Sequence, residues 1–417
     1  MAQLSNDCFA FGGELMPIEA GLALIGERVQ PVAEIETVSL FEADGRVLAE
    51  DIIAPLDLPG FDNSAVDGWA VRHADLSPDG ETVLPVVTRI AAGDRAPHKI
   101  GPGESARIFT GAVMPAGADT VFMQEDVREE AGRLILPPGL KLGANRRLAG
   151  EDIAAGAPAL AAGLRLQPQH IALASALGLT ELKVRRRLRV AVLSTGDELV
   201  APGQPLAPGT LHDSNRVMMA AMLRRAGCEV TDAGMHRDEP ESLANAILKA
   251  AAGHDLIISS GGVSTGEEDH TRKVVERVGT LVQWRLAIKP GRPVAMAVVD
   301  GTPFVGLPGN PVAVFVTFVN VVRALVARLG GETWAPPPPV PVRSAFPYRK
   351  KTGRREFVRV ALVRNADGSV EAHKHPREGA GVITSLTEST GFVELSEPVT
   401  SVAVGDVVGY RSYEEMF

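Results

Sequence analysis

Three acidic residues stand where apolar runs give way to loops: Glu198 in Ser194-Thr195-Gly196-Asp197-Glu198, Asp238, and Asp269 at the end of the run SSGGVSTGEED. Carboxylates gathered at one rim repel one another unless protons or a divalent cation intervene, and hard oxygen ligands suit Mg²⁺. The glycine-rich loop before Asp269 holds Ser260, Gly261, Gly262 and Ser264. Such a loop brings backbone N–H groups close to an anion, with the positive end of the following helix behind them. Asp in a loop is more often a turn residue or a helix cap, so one of these acids alone carries little. Three at successive strand ends, one beside a double glycine, outweigh that reading. A second turn, GLPGNP at 306–311, contains Pro308 and Asn310. Asn310 suits a helix N-cap and Pro311 the first helical position, yet the same turn offers N–H groups to phosphate. Between the two turns lie three cations, Arg285, Lys289 and Arg292, in a short apolar stretch. Residues 285, 287 and 289 alternate, so on one strand Arg285 and Lys289 share a face. That face is either a solvated edge or a seat for a tetrahedral oxyanion.

The elements that must position these groups read as strands alternating with helices. Apolar runs at 188–193, 228–233, 256–259 and 303–307 alternate with helical patterns at 216–226, 241–252, 269–278 and 311–329. Buried strands alternating with helices imply a doubly wound, mostly parallel α/β sheet, in which ligands bind beyond the carboxyl ends of the strands. Before this unit, residues 51–149 break into short β-like runs such as 82–90 and 105–109, separated by Gly, Pro and Asp. They read as a small β-rich insert. Residues 15–50 and 150–186 flank it as an α/β N-terminal linking unit. Its first helix carries Ile18, Leu22, Ile25 and Val29 at helical spacing, an apolar stripe for the chain's own core or for a second subunit. Residues 187–335 form the α/β unit. A run of prolines at 336–339 leads into a C-terminal β domain, 336–417, with strands at 356–363, 391–395 and 402–411.

Composition narrows the class. The 417 residues are too many for one compact core. A net charge of -9 argues against general nucleic-acid binding, which needs a basic face. The two cysteines, Cys8 and Cys228, offer neither a disulfide framework nor a zinc spacing. No signal peptide is expected from the acidic N-terminal segment. No membrane span is expected either, since residues 281–299 are broken by Arg285, Lys289, Pro290 and Arg292. The expected location is the cytoplasm. His373 and His375 lie close together and read as a solvated loop pair.

In the N-terminal half, FDNSAVDGWAVR (61–72), RIFTGAVMPAGAD (107–119) and GEDI (150–153) are unremarkable singly. Taken with STGDEL (194–199), Asp238, SSGGVSTGEEDH (259–270), AIKPGRP (287–293), GLPGNPVA (306–313) and GRREFVRV (353–360), they form an ordered set spanning nearly the whole chain. This set resembles the molybdopterin molybdenumtransferase family, which includes the E domain of gephyrin.

The resemblance implies an elongated homodimer of four-domain subunits with its sites where subunits meet. It implies that adenylylated molybdopterin and molybdate enter with Mg²⁺, and that molybdenum cofactor and AMP leave. By motif, Glu198 and Asp269 would hold Mg²⁺, Asp238 would support them, and Lys289 would contact anionic oxygens. Asp67, Thr110, Arg147 and Asp152 would come from the other subunit and meet the pterin. Arg359 and Ser385 match C-terminal positions associated with molybdate. Arg285 stands where lysine is commoner, which changes donor geometry, and SLTESTGFVEL (385–395) lacks an asparagine that often follows there. The adenylyltransferase that makes the preceding intermediate shares the α/β fold and the SGG loop, and is a candidate partner. As a rival identity it needs only that one domain. A non-enzymatic scaffold and a nicotinamide enzyme fit less well, the latter because no G-x-G-x-x-G follows a strand.

Overall fold

The computed structural model describes residues 15–95, 98–262 and 270–417. The helix Ile18–Arg28 turns Ile18, Gly21 and Ile25 inward. They share one hydrophobic cluster with Met16, Trp284, Leu286 and Leu325, so the apolar stripe faces the α/β unit of the same chain. Met16 N–H donates to Arg285 O and Ala287 N–H to Met16 O, both at 2.8 Å. A linking sheet follows, in which Glu181–Arg185 lies antiparallel between Ile35–Ser39 and Val47–Leu48. The helix Pro168–Ala176 contributes to its core of Leu48, Leu166, Ala174 and Val184.

The insert is a six-stranded sheet in the order Thr120–Met123, Gly68–Val71, Ser105–Ile108, Thr82–Ile90, Arg133–Leu136, Arg128–Glu130. Its Thr82–Ile90 and Ser105–Ile108 pair is parallel, and its other pairs are antiparallel.

In the α/β unit the order is Glu229–His236, Arg189–Thr195, Leu256–Ser260, Thr302–Leu307, Pro293–Val299, Thr280–Arg285. The first three pairings are parallel and the last two antiparallel. Alternation divides the faces: Val190 and Val192 enter one core, Ala191 and Leu193 another. The first core takes residues of Asn215–Arg225 and of the run from Pro311, the second those of Pro240–Gly253 and His270–Val278. Both faces of the inner strands are therefore covered, which is why Arg189–Thr195, Leu256–Ser260 and Thr302–Leu307 are buried almost throughout. The edge strand Glu229–His236, by contrast, keeps Thr231, Asp232 and His236.

Two expectations change here. The helical run Pro311–Leu329 does reach membrane-spanning length and hydropathy, but 83% of that window is buried. It is apolar on all sides because the sheet, the first helix and aromatic residues of the C-terminal domain cover it. Arg285 and Lys289 do not share a strand. Thr280–Arg285 ends at Arg285, the chain passes through buried Leu286 and Ala287, and Ile288–Lys289 pairs in parallel with Arg355–Arg364. The chain changes sheets between the two cations, so their alternation places them on no common face.

The C-terminal sheet closes on itself. Arg355–Arg364, Val370–Lys374, Val340–Ser344, Val407–Ser412 and Gly391–Leu395 pair in sequence, and the last pairs back to the first. The stretch expected as one strand at 402–411 is two, Ser401–Val402 and Val407–Ser412, separated by a turn at Gly405, whose φ of +89° suits glycine.

Candidate active site

Three parallel strands, Arg189–Thr195, Leu256–Ser260 and Thr302–Leu307, end at one edge of the α/β sheet. The turns after them border a cleft of about 470 Å³ lined by Thr195, Glu198, Asn215, Ser260, Gly261 and Asn310 among others. Gly261 has φ +99°, and a Cβ there would stand 2.2 Å from Thr195 O. The loop can run this close to the neighbouring strand only because the side chain is absent. At Gly196 a Cβ would meet Glu198 Oε2 at 2.6 Å, so that glycine leaves room for the carboxylate. Glu198 is exposed, and its carboxylate forms no hydrogen bond or ion pair among the described residues. Asn310 occupies the cap position before Pro311 but makes no side-chain cap bond, which leaves its amide to the cleft.

Asn215 and Asp213, which the motifs above did not single out, organise this edge. Asn215 Nδ2 donates to Ser260 Oγ at 2.9 Å and to Gly309 O at 2.7 Å, tying the two glycine turns together. Ser260 Oγ in turn donates to Pro308 O at 3.0 Å. Asp213 is buried and accepts from Ser194 Oγ at 2.5 Å and Arg216 Nε at 2.8 Å. It is thus a structural anion, unlike Glu198. The available signal was positional: Asp213-Ser214-Asn215 opens a helix directly after a strand.

Asp238 follows the strand Glu229–His236, with its N–H donating to Asp197 Oδ1 at 3.3 Å. Asp269 and Ser264 lie outside the described residues. Among the described residues no cluster of three or more His, Cys, Asp or Glu side chains is arranged for a metal ion. An uncompensated carboxylate facing loop carbonyls and hydroxyls still fits Mg²⁺, which keeps most of its waters and takes one or two carboxylates plus phosphate oxygens.

A second, smaller cavity of about 120 Å³ adjoins the first and is lined by Lys289, Tyr348, Glu356, Arg359, His375 and Arg377 among others. Ala380 lines this cavity, and Gly381 and Ile383 line the cleft. Arg359 is 6% exposed. Its Nη2 donates to Arg377 O at 3.2 Å, and its Nε has no partner. Burial lowers the pKa of this guanidinium, the mark of a desolvated cation. Buried Glu356 accepts from Tyr348 Oη at 2.9 Å and Lys289 Nζ at 3.2 Å. Burial, then that bond, raises the Tyr348 pKa well above the ordinary phenol range. His375 is buried, with Nε2 2.9 Å from Glu388 Oε2, so it is not half of a solvated pair.

Lys289 and Arg359 therefore meet. Arg285 is exposed at its strand end and Arg292 half-buried, and neither lines these two cavities. Ser385 is fully buried, its Oγ donating to Val382 O at 2.5 Å. Its hydroxyl is committed to the backbone rather than to either cavity.

The N-terminal motifs gather in the insert. Asp67 Oδ1 accepts from Thr110 N–H at 2.8 Å and Thr110 Oγ1 at 2.7 Å. The backbone bond first, then the hydroxyl, holds the Asp67 carboxyl below its usual range. Arg146–Arg147 pairs with Asn63–Ser64, and Arg147 Nε donates to Glu151 Oε1 at 2.6 Å. Asp152 is exposed next to that glutamate. None of these four lines either cavity within one chain.

Comparison with known proteins agrees along the length of the chain. Residues 16–178 match the family model for the MoeA N-terminal region, domains I and II. Residues 191–328 match a probable molybdopterin binding domain, and 341–411 the MoeA C-terminal region, domain IV. The molybdopterin molybdenumtransferase of Haemophilus influenzae is 38% identical over 92% of this chain and 95% of its own length. The enzyme of the same name from a Nostoc species is also 38% identical, over 89% of this chain and 87% of its own. A crystal structure of a molybdopterin biosynthesis MoeA protein from Pyrococcus horikoshii superposes with a TM-score of 0.81 at 27% identity, covering 96% of this chain and all of that one.

Proposed function

The chain belongs to the molybdopterin molybdenumtransferase family, and from that premise we propose that it catalyses Mg²⁺-dependent insertion of molybdate into adenylylated molybdopterin, releasing AMP and giving molybdenum cofactor in the cytoplasm. The observation that carries this reading is the pair of cavities, one with Glu198 in its lining and one with Lys289, Arg359 and Arg377, met by the neighbouring residues Ala380 and Gly381. The larger takes the adenylylated pterin, with its phosphates against the Ser260–Gly261 and Gly309–Asn310 turns. Glu198, with Asp269, would hold Mg²⁺ there, and the metal would neutralise phosphate charge and polarise phosphorus. The smaller takes molybdate, held by Lys289 and Arg359. Two mutually repelling anions are thereby held side by side, and positioning is the main task of such a site.

Half-buried Asp67 and exposed Thr110, Arg147 and Asp152 complete the pterin side from the second subunit of a homodimer. That none of them lines either cavity of its own chain supports that arrangement. Mixing inactive Asp67→Ala and inactive Glu198→Gln proteins tests it. Subunit exchange should restore part of the AMP release, because one cleft in each hybrid has both residues. No recovery after demonstrated exchange would place the whole site in one chain.

A further inference from the structure

A third cavity, of about 30 Å³, lies at the joint of the linking sheet and the α/β unit and shares no lining residue with the two cavities above. Arg46, Arg165, Arg185, Arg186 and Arg187 line it, with Glu332 as the one acidic wall residue. Arg165 donates to Glu332 from Nε at 2.9 Å and Nη2 at 2.6 Å, and buried Arg323 shares the same carboxylate at 3.0 Å. Arg46 pairs with Glu36, and Arg186 pairs with Asp255 and, at 3.5 Å, with Glu34, which is 75% exposed. Arg185 and Arg187 reach only carbonyls, Ala33 O at 3.1 Å and Gly227 O at 3.2 Å. Six guanidiniums thus face four carboxylates, of which Glu34 and Glu36 are exposed and Asp255 is shared with Arg189. The carbonyl end of the helix Asn215–Arg225 offsets part of the excess through Ala226 O, which accepts from Arg165. It leaves Arg46 Nε, on the cavity wall, buried without a partner. Arg323, behind Glu332 and 5.0 Å over the Trp334 ring, has Nε and Nη1 without hydrogen bonds as well. Arg46 is 8% exposed and Arg323 2%.

Buried donors without partners are rare in folded proteins, and an uncounted ion is one of the standard resolutions. Excess positive charge around a joint in which Arg46 and Arg323 are buried asks for the same thing. A space of about 30 Å³ admits something the size of one or two waters and no organic metabolite. We propose that this joint binds a small inorganic anion, which serves as the counter-ion that seats the linking sheet on the α/β unit.

The test uses the full-length protein and thermal unfolding at constant ionic strength. Sodium gluconate is replaced stepwise by chloride, and in a second series by phosphate. Wild type and Arg359→Met, which alters only the proposed molybdate cavity, should both show saturable stabilisation. Arg187→Gln, at an exposed position, should need about ten times more anion or beyond, the loss of one charge-assisted bond. Arg187→Lys should restore most of the response. Stabilisation in chloride would mark a monatomic ion, and in phosphate alone an oxyanion entering from the mouth; both uphold the site. No saturable response to either anion, or an equal response in wild type and Arg187→Gln, would overturn it. So would loss of the response in Arg359→Met, which would place the ion in the other cavity.

Discussion

Replacing Arg359 by methionine separates the two cavities most sharply. Methionine keeps an unbranched stem of similar reach and fills irregular space, while the cation and its fork of donors are lost. Arg359 makes one charge-assisted bond, Nη2 to Arg377 O, and carries a buried, partnerless Nε. For the empty protein the two effects oppose each other. Losing the bond costs about 1.5–3 kcal/mol, and removing a buried unsatisfied donor returns about 1–3 kcal/mol. The fold should therefore melt at nearly the same temperature. For the loaded protein the balance shifts. One charge-assisted bond to an oxyanion contributes roughly 1.5–3 kcal/mol, and about 1.4 kcal/mol is a factor of ten. The molybdate concentration for half-maximal cofactor formation should rise roughly ten- to a hundredfold, while binding of the adenylylated pterin, followed by fluorescence, stays the same. Arg359→Lys should fall between, because it retains charge without the fork. If Arg359→Met leaves the molybdate half-point within about twofold, the small cavity is not the oxyanion seat and the reasoning fails, whatever happens to the melting temperature.

Other outcomes follow from the same structure. Arg285→Ala should leave the molybdate half-point almost unchanged, since Arg285 lines neither cavity; a tenfold rise in that titration would restore the shared face that the fold removes. Gly261→Ala should destabilise by about 2–5 kcal/mol in denaturant unfolding, from left-handed strain and a clash with Thr195 O together. Asn215→Ala should lose two bonds worth about 1 kcal/mol each and weaken pterin binding more than it lowers stability. Thr110→Val keeps the backbone donor to Asp67 but removes the hydroxyl, so the Asp67 pKa should climb back toward the ordinary carboxylate value. A carboxylate with a depressed pKa contributes fully above its unfolded value, about 3.9, and is lost as pH falls through the folded one. Carbon NMR should therefore show Asp67 protonating at higher pH in the variant than in the wild type.

Much of the architecture was legible because periodicity reports burial directly. The mostly apolar runs at 188–193 and 256–259 had to be covered on both faces, and Val190 and Ala191 do enter different cores. The order of the motifs likewise placed Glu198, Ser260 and Asn310 at strand ends before any coordinates, and parallel pairing brings all three to one edge. These features depend on residues near in sequence or on the two-residue alternation of a strand, so local chemistry settles them.

Other features depend on contacts between distant segments, which no local pattern encodes. Arg285 and Lys289 are four residues apart, yet the chain leaves one sheet for another between them, because Ile288–Lys289 finds its partner at Arg355–Glu356. The stripe on Ile18–Arg28 suited a second subunit as well as its own core, and packing beside Trp284 decided the matter. Asn215 looked like an ordinary first residue of a helix until the fold brought the turns at Ser260 and Gly309 within reach of one amide. Ser385 matched a motif, but burial turned its hydroxyl onto Val382 O. The residue types and the strand-end positions were the sequence's own. Which cations share a cavity, and which polar groups remain free to meet a ligand, was decided by tertiary packing, since only packing determines which side chains lose their water.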